Sequence, residues 1–313
     1  MTEARALKTV IFLGYRCNNR CVFCVSADRR ALAEKPLKDV AAQIARAAAE
    51  GSRYLEFVGG ETTIRDDILS LVRYARRCGF TTVCMATNGR MYAYPDFAKS
   101  MVDAGLTDVL FSIHGDKAGI HDALTRAPGS FRQLLDGIAN LRRRGFERIG
   151  SNTTIVIPNL KSLTGIGRLI LGLGIRNSEF IFVDPNHGGA YERFDELVPR
   201  IAEAAPRMRE LLDLGRGRSP HWCVRYVPLC HFLGYEDQVS ETIERKLFHT
   251  RHFAPEFQNL DVESSRRDFG RVRPPRCSGC ALYDECEGIF REYYRRRGDA
   301  ELRAVTRAGQ DRG

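Results

Sequence analysis

Short β-rich runs alternate with amphipathic helical stretches over the first two thirds of the chain, and this alternation restricts the fold more than any other feature. Strand-like runs fall at 9–13, 54–58, 82–86, 109–113, 153–157 and 180–183. Between them a 3.6-residue apolar period predicts helices from Pro36 onward and near 66–78, 95–104, 130–144 and 160–173. In the first of these, Leu37, Val40, Ala41, Ile44 and Ala48 share a face; Pro36 suits the first turn and Gly51 supplies the stop. Ser130 and Gln133 read as a capping box ahead of the stripe Phe131, Leu134, Leu135, Ile138 and Leu141, which Gly145 closes. Six strands separated by helices predict parallel β/α units, hence an α/β fold. Periodicity fits an open doubly wound sheet and a barrel equally well. In both, reactive groups gather where strands end.

The first strand runs directly into Cys17-Asn18-Asn19-Arg20-Cys21-Val22-Phe23-Cys24, a C-x3-C-x2-C string. Three thiolates on one tight loop suit a cubane iron–sulfur cluster, because thiolate is the soft ligand such irons take. A cube has about four irons, so three sulfurs leave one open to an exogenous ligand. A structural zinc site is the competing reading, but it wants a fourth Cys or His nearby; the next cysteine is Cys78, at an expected helix end. Strand two ends in Gly59-Gly60-Glu61, so this motif and the cysteine loop are expected to face one another.

At 313 residues the chain has room for one large domain or a domain plus an appendage. It contains no apolar run long enough to span a membrane, and Met1-Thr2-Glu3-Ala4-Arg5 does not read as a signal peptide. Ten cysteines without an export signal read as reduced ligands in the cytoplasm rather than disulfides. The net charge of +9 raises nucleic acid as a partner. Runs such as Arg142-Arg143-Arg144 and Arg295-Arg296-Arg297 fall on amphipathic helices, however, and read as solvated faces.

Together, Cys17–Cys24, Gly59-Gly60-Glu61-Thr62, Thr87-Asn88-Gly89 and Ser112-Ile113-His114-Gly115 make residues 8–185 resemble the radical S-adenosylmethionine (SAM) superfamily. The resemblance implies a partial (β/α)6 barrel of parallel strands and a [4Fe–4S] cluster on Cys17, Cys21 and Cys24, with SAM chelating the open iron. It implies Phe23 near the adenine and Gly59, Gly60, Glu61 and Thr62 at the methionine end. Ser112 and Asn152 are further candidates for SAM contact. The implied chemistry is reductive cleavage of SAM to a 5′-deoxyadenosyl radical that abstracts hydrogen from a substrate, with an electron donor such as flavodoxin or ferredoxin.

A helix bearing Phe194, Leu197, Ile201, Met208 and Leu211 leads to Gly215-Arg216-Gly217-Arg218-Ser219-Pro220, a boundary that divides the chain into 1–215 and 216–313. The second part carries Cys277-x2-Cys280-x5-Cys286 and, upstream, Cys223 and Cys230. This grouping resembles the twitch or partial-SPASM extension of some radical SAM enzymes, a small cysteine-rich C-terminal appendage. The resemblance implies a second [4Fe–4S] cluster on Cys230, Cys277, Cys280 and Cys286. Cys223 in place of Cys230, and zinc in place of iron, remain open. Cys78 and Cys84 read as small apolar residues. His114 and His187, at strand ends, are candidates for acid–base work. The Arg-rich stretch after Tyr294 reads as a solvated end.

The expected function is hydrogen abstraction from a peptide or small metabolite. With only about eight residues ahead of strand one, a peptide substrate would call for a peptide-binding partner protein. RNA modification and a non-enzymatic iron–sulfur or zinc-binding role are the alternatives.

Overall fold

Alternation along each strand decides the architecture. The computed structural model describes residues 5–218 and 221–306. Its strands are β1 (Ala6–Phe12), β2 (Tyr54–Val58), β3 (Thr82–Thr87), β4 (Asp108–Ser112), β5 (Ile149–Ile155), β6 (Asn177–Phe182), β7 (His221–Arg225), β8 (Phe248–Phe253) and β9 (Gln258–Asn259). They form one sheet in the order β7-β6-β5-β4-β3-β2-β1-β8-β9, parallel throughout except for the β8–β9 pair. The intervening helices are α1 (Leu37–Ala49), α2 (Ile68–Arg77), α3 (Pro95–Asp103), α4 (Ala118–Thr125), α5 (Ser130–Arg143) and α6 (Leu163–Gly172). After β6 come α7 (Gly188–Glu192), α8 (Phe194–Leu197) and α9 (Ile201–Gly215).

Successive side chains of a strand point to opposite faces. Ile11, Leu55, Phe57, Val83, Met85, Val109, Phe111, Phe180, Trp222 and Val224 are all buried in the core under the helices. Their neighbours Lys8, Val10, Glu56, Leu110, Asn152, Glu179, Arg225 and Thr250 line a cavity of about 1420 Å³ on the other face. The sheet is therefore a partial barrel with helices outside and a polar interior. The outer face is predominantly apolar, while the interior mixes these polar side chains with Val10, Val58, Ala86, Leu110 and Ile181.

The sequence boundary near 215 falls in the turn after α9, but β7 and β8, beyond it, join the same sheet. Helix α10 (Ser240–Leu247) packs on both β7 and β8, across the gap between the sheet's two ends. It carries Glu244 inward to Arg225 of β7 (3.2 Å) and to the hydroxyl of Thr250 of β8 (2.8 Å). Arg225 also pairs with Glu179 at 2.7 Å, Arg266 with Glu244 at 3.0 Å, and Lys8 with Glu56 at 2.7 Å. Burial opposes charge on Glu244, yet Arg225 and Arg266 hold its carboxyl far below the usual range.

The remaining elements are α11 (Val262–Ser265), a small antiparallel pair β10 (Arg271–Val272) and β11 (Ile289–Phe290), and α12 (Arg291–Arg297).

Some local expectations change. Gly129, not Ser130, occupies the N-cap of α5, and the Asp122 carboxylate takes the capping role by accepting from the N–H groups of Gly129 and Phe131. Gln133 instead accepts from Arg90. Strand β5 starts four residues earlier than expected, at Ile149. Arg295 and Arg296 pair with Glu292, Arg296 and Arg297 lie over the Phe194 ring, and Leu302 is buried. The stretch after Tyr294 is thus anchored through these contacts and Leu302, while Arg295, Arg303, Ala304 and Thr306 stay exposed; residues 307–313, like Met1–Ala4 and Ser219-Pro220, lie outside the described residues.

Candidate functional site

The loop from β1 carries Cys17, Cys21 and Cys24, and its backbone is fastened on several sides. Arg20 and Val22 donate N–H bonds to the carbonyls of Thr125 and Leu124 at the end of α4, both at 2.9 Å. Gly189 of α7 donates to the Cys24 carbonyl at 2.9 Å, at an approach so close that a Cβ on Gly189 would lie 2.1 Å from the Val22 oxygen. The Arg30 guanidinium donates to the Asn19 carbonyl (2.7 Å), Arg90 to the Asn18 carbonyl and to Asn19 Oδ1, and Asn88 Nδ2 to Asn18 Oδ1 (2.7 Å). The Asn19 N–H points at Cys17 Sγ at 3.3 Å.

The end of β2 meets this loop. The N–H of Gly60 donates to the Gly14 carbonyl (2.9 Å) and that of Glu61 to the Arg16 carbonyl (2.8 Å). A Cβ on Gly59 would stand 2.2 Å from the Gly14 oxygen, and one on Gly60 2.1 Å from the Arg16 oxygen. The two glycines therefore admit the chain's own backbone. Glu61 is buried, and its carboxylate accepts from the Thr63 N–H and hydroxyl, the Thr87 hydroxyl and the Asn88 N–H. It joins the ends of β2 and β3. Burial pushes its pKa up, against the pull of these donors.

Cys17, Cys21, Cys24, Phe23, Gly59, Gly60, Glu61, Ser112 and Asn152 line one cavity of about 370 Å³ at the strand C-termini. Thr62 does not line it; its hydroxyl is buried behind, without a partner among the described residues. Val58, Gly59, Ala86, Asn152, Ile181 and Tyr226 wall both this cavity and the large barrel cavity, so the two are contiguous. Burial pushes the Cys17 thiol up and the Cys21 thiol to about 12, with neighbouring cysteines adding to the rise at Cys21. These thiols are held protonated until a metal displaces the proton.

His114 lies on the wall of the smaller cavity. Its ring meets Phe23 edge-on at 4.8 Å and stacks on His121 at 5.9 Å. Burial, then the charge of His121, pushes it down to about 3, and its Nδ1 accepts the Thr154 N–H. It is a neutral structural histidine. His187 lines the barrel cavity instead.

Cys230, Cys277, Cys280 and Cys286 surround a small separate cavity with Pro228, Leu282, Tyr283 and Leu302. Cys286 Sγ faces the N–H groups of Leu229 (3.4 Å) and Gly288 (3.3 Å), and Cys280 Sγ faces that of Val305 (3.3 Å). Cys223 is elsewhere, on the barrel wall, with its sulfur 3.1 Å from the Ser240 hydroxyl. Among the described residues no three His, Cys, Asp or Glu side chains gather about a single-ion position. Both donor sets are all-thiol, which suits polynuclear iron–sulfur groups.

The sequence reading assigned no site role to Arg90, Arg30, Asn88, Tyr15 or Tyr226. Thr87-Asn88-Gly89-Arg90 carried a signal as the segment following a strand. Tyr226, at φ 66°, carried none.

Residues 11–164 match the Radical SAM superfamily. The chain is 35% identical over 144 residues to the GTP 3′,8-cyclase of Marinobacter nauticus, covering 45% of this chain and 43% of that one. It spans about half the length of such relatives, 52% for an AdoMet-dependent heme synthase of Methanosarcina barkeri. It is 31% identical over 331 residues to the Fe-coproporphyrin III synthase of Methanosarcina barkeri, covering 88% of this chain and 81% of that one. Streptococcus suis SuiB bound to its precursor peptide SuiA has the same fold, with a TM-score of 0.68 at 14% identity, covering 96% of this chain and 75% of that one. The chain belongs to the radical SAM superfamily.

Proposed function

We propose that this enzyme binds a [4Fe–4S] cluster on Cys17, Cys21 and Cys24 and SAM in the adjoining cavity, and abstracts hydrogen from a peptide or small metabolite held in the barrel. The observation that carries the reading is the shared wall: three thiols line a cavity of about 370 Å³ that opens on one of about 1420 Å³. When bound, cluster and SAM supply a carbon radical that takes hydrogen from the substrate. The chain's own residues position and shield. Phe23, Ser112 and Asn152 line the SAM cavity, Gly59 and Gly60 let strand end and cysteine loop touch, and Glu61 locks that junction to β3. Thr62 supports the junction from behind. Val58, Ala86 and Ile181 give the wall shared by the two cavities an aliphatic stretch beside the reacting position.

Cys230, Cys277, Cys280 and Cys286 are proposed to hold a second [4Fe–4S] cluster in the segment 216–313, as a twitch-like extension. A one-electron donor such as flavodoxin or ferredoxin, and a cytoplasmic setting in which all ten cysteines stay unpaired, complete the reading. SuiB, which shares the fold, is seen bound to a precursor peptide, so a peptide with a partner protein to present it is one candidate class.

The test is iron and sulfide content after anaerobic reconstitution. About eight irons in the wild type and about four in the Cys17→Ala, Cys21→Ala, Cys24→Ala variant support two separate clusters. About four irons that vanish in the variant, with zinc retained, would make the C-terminal site a zinc site.

A further inference from the structure

Among the described residues, Arg271 is the largest buried charge without an ionic partner. It is 1% exposed, and no carboxylate among the described residues lies within ion-pair distance of it. Its Nη2 donates to the Gly288 carbonyl at 3.0 Å, while Nε and Nη1 are buried without a hydrogen-bond partner. The guanidinium instead stands over two rings, 4.4 Å from that of Phe290 and 5.4 Å from that of Tyr226. The aromatic faces offset part of the desolvation cost, but a buried cation of this kind still wants a compensating negative charge.

The position of Arg271 indicates where that charge sits. Gly288, which accepts from the guanidinium, donates its own N–H to Cys286 Sγ. Cys286 lines the four-thiol cavity and lies within electrostatic reach of Arg271. On the other side, Tyr226 and Asp184 line the SAM cavity, and Asp184 also feels the Arg271 charge. Glu241 is a further carboxylate in the field, engaged by the Tyr226 N–H. Arg271 thus stands between the two cysteine sites, with the single residue Gly288 bridging it to Cys286 Sγ.

We propose that Arg271 is the internal countercharge of the second cluster and raises its reduction potential. The inference rests on the second-cluster reading above. A fully cysteine-ligated [4Fe–4S] group is anionic and becomes more so when its core accepts one electron from an external reductant. A fixed neighbouring cation favours the reduced form, since net local charge and hydrogen bonds to sulfur set such potentials. Tyr226 then spans the space from this pair to the SAM cavity.

The experiment is an EPR-monitored redox titration of the anaerobically reconstituted full-length enzyme, comparing wild type with Arg271→Met, Arg271→Gln and Arg271→Lys. The signal that added SAM leaves unchanged is assigned to the second cluster, and iron content is measured on each sample. The proposal predicts a midpoint shifted to more negative potential in R271M and R271Q and held near the wild-type value in R271K. Equal potentials in all four proteins would overturn it, as would a shift in R271K as large as that in R271M, which would make packing rather than charge the cause. Should R271M not load the second cluster, the R271Q and R271K pair decides by the same criterion. About four irons in the wild type itself would refute the second-cluster reading, a result distinct from an unchanged potential in a protein with about eight.

Discussion

Gly60→Ala tests the junction between the β2 end and the cysteine loop. The added methyl would lie 2.1 Å from the Arg16 carbonyl oxygen and 2.5 Å from the Tyr15 carbonyl, all backbone, so no flexible side chain can yield. Relief requires the segment 14–16 to move by about 1 Å, since ordinary carbon contacts sit at about 3.5 Å. Moving it breaks or stretches the bonds from Gly60 N to Gly14 O and from Glu61 N to Arg16 O. Overpacking costs about 1–3 kcal/mol and each of the two lost main-chain bonds about 0.5–1.5 kcal/mol, giving about 2–6 kcal/mol in all. At about 2.1 cal/mol/K per residue over 313 residues, that lowers the melting temperature of the apoprotein by about 3–9 °C. Because Cys17 follows Arg16 directly, the same shift misplaces the first thiol. We therefore expect G60A to lose the irons of the N-terminal site and keep those of the C-terminal one. Melting and iron content both unchanged would refute the close-approach argument.

Glu61→Gln replaces a carboxylate that four N–H or O–H groups address with an amide that cannot accept at both ends. A destabilisation of about 1–3 kcal/mol is expected by urea titration, together with weaker SAM binding; full stability would show that the β2–β3 junction is held otherwise. Cys230→Ser should lower the iron content of the reconstituted enzyme, and Cys223→Ser should leave it unchanged; the reverse result would move the fourth ligand to the barrel wall. His114 and His121 are held at about 3 and about 4 in the folded chain, below their ordinary value. Between those values and about 6.5 the unfolded chain binds more protons, so their contribution is complete above about pH 6.5 and declines on acidification, towards about 1.4 kcal/mol per pH unit for each. Melting curves of the apoprotein from pH 7.5 to 5 should show that decline, shallower in His121→Asn; parallel curves would refute it.

The parallel β/α order and the position of both cysteine groups were legible because strand runs, helix stripes and C-x-x-C spacings are local. What closes the barrel was not. β8 pairs with β1, about 240 residues before it, β7 extends the opposite end of the sheet, and α10, with its Glu241 and Glu244, reads as an ordinary polar helix. The polar lining was present in the sequence as Lys8, Glu56, Glu179 and Arg225 at alternate strand positions. It was masked by the stronger apolar signal of the outward residues. Gly59 and Gly60 were expected at the methionine end of SAM; what the coordinates add is that the group closest to both is the chain's own Gly14–Arg16 backbone. The choice of Cys230 over Cys223 likewise depends on a fold that brings residue 230 beside 277–286.

The most direct test of the central claim is 5′-deoxyadenosine release from SAM by the reconstituted enzyme under dithionite. The account predicts release by the wild type and by Cys223→Ser, and none by the Cys17→Ala, Cys21→Ala, Cys24→Ala variant with its C-terminal irons intact. Equal release by that triple variant, or none by a wild type carrying about eight irons, would contradict it.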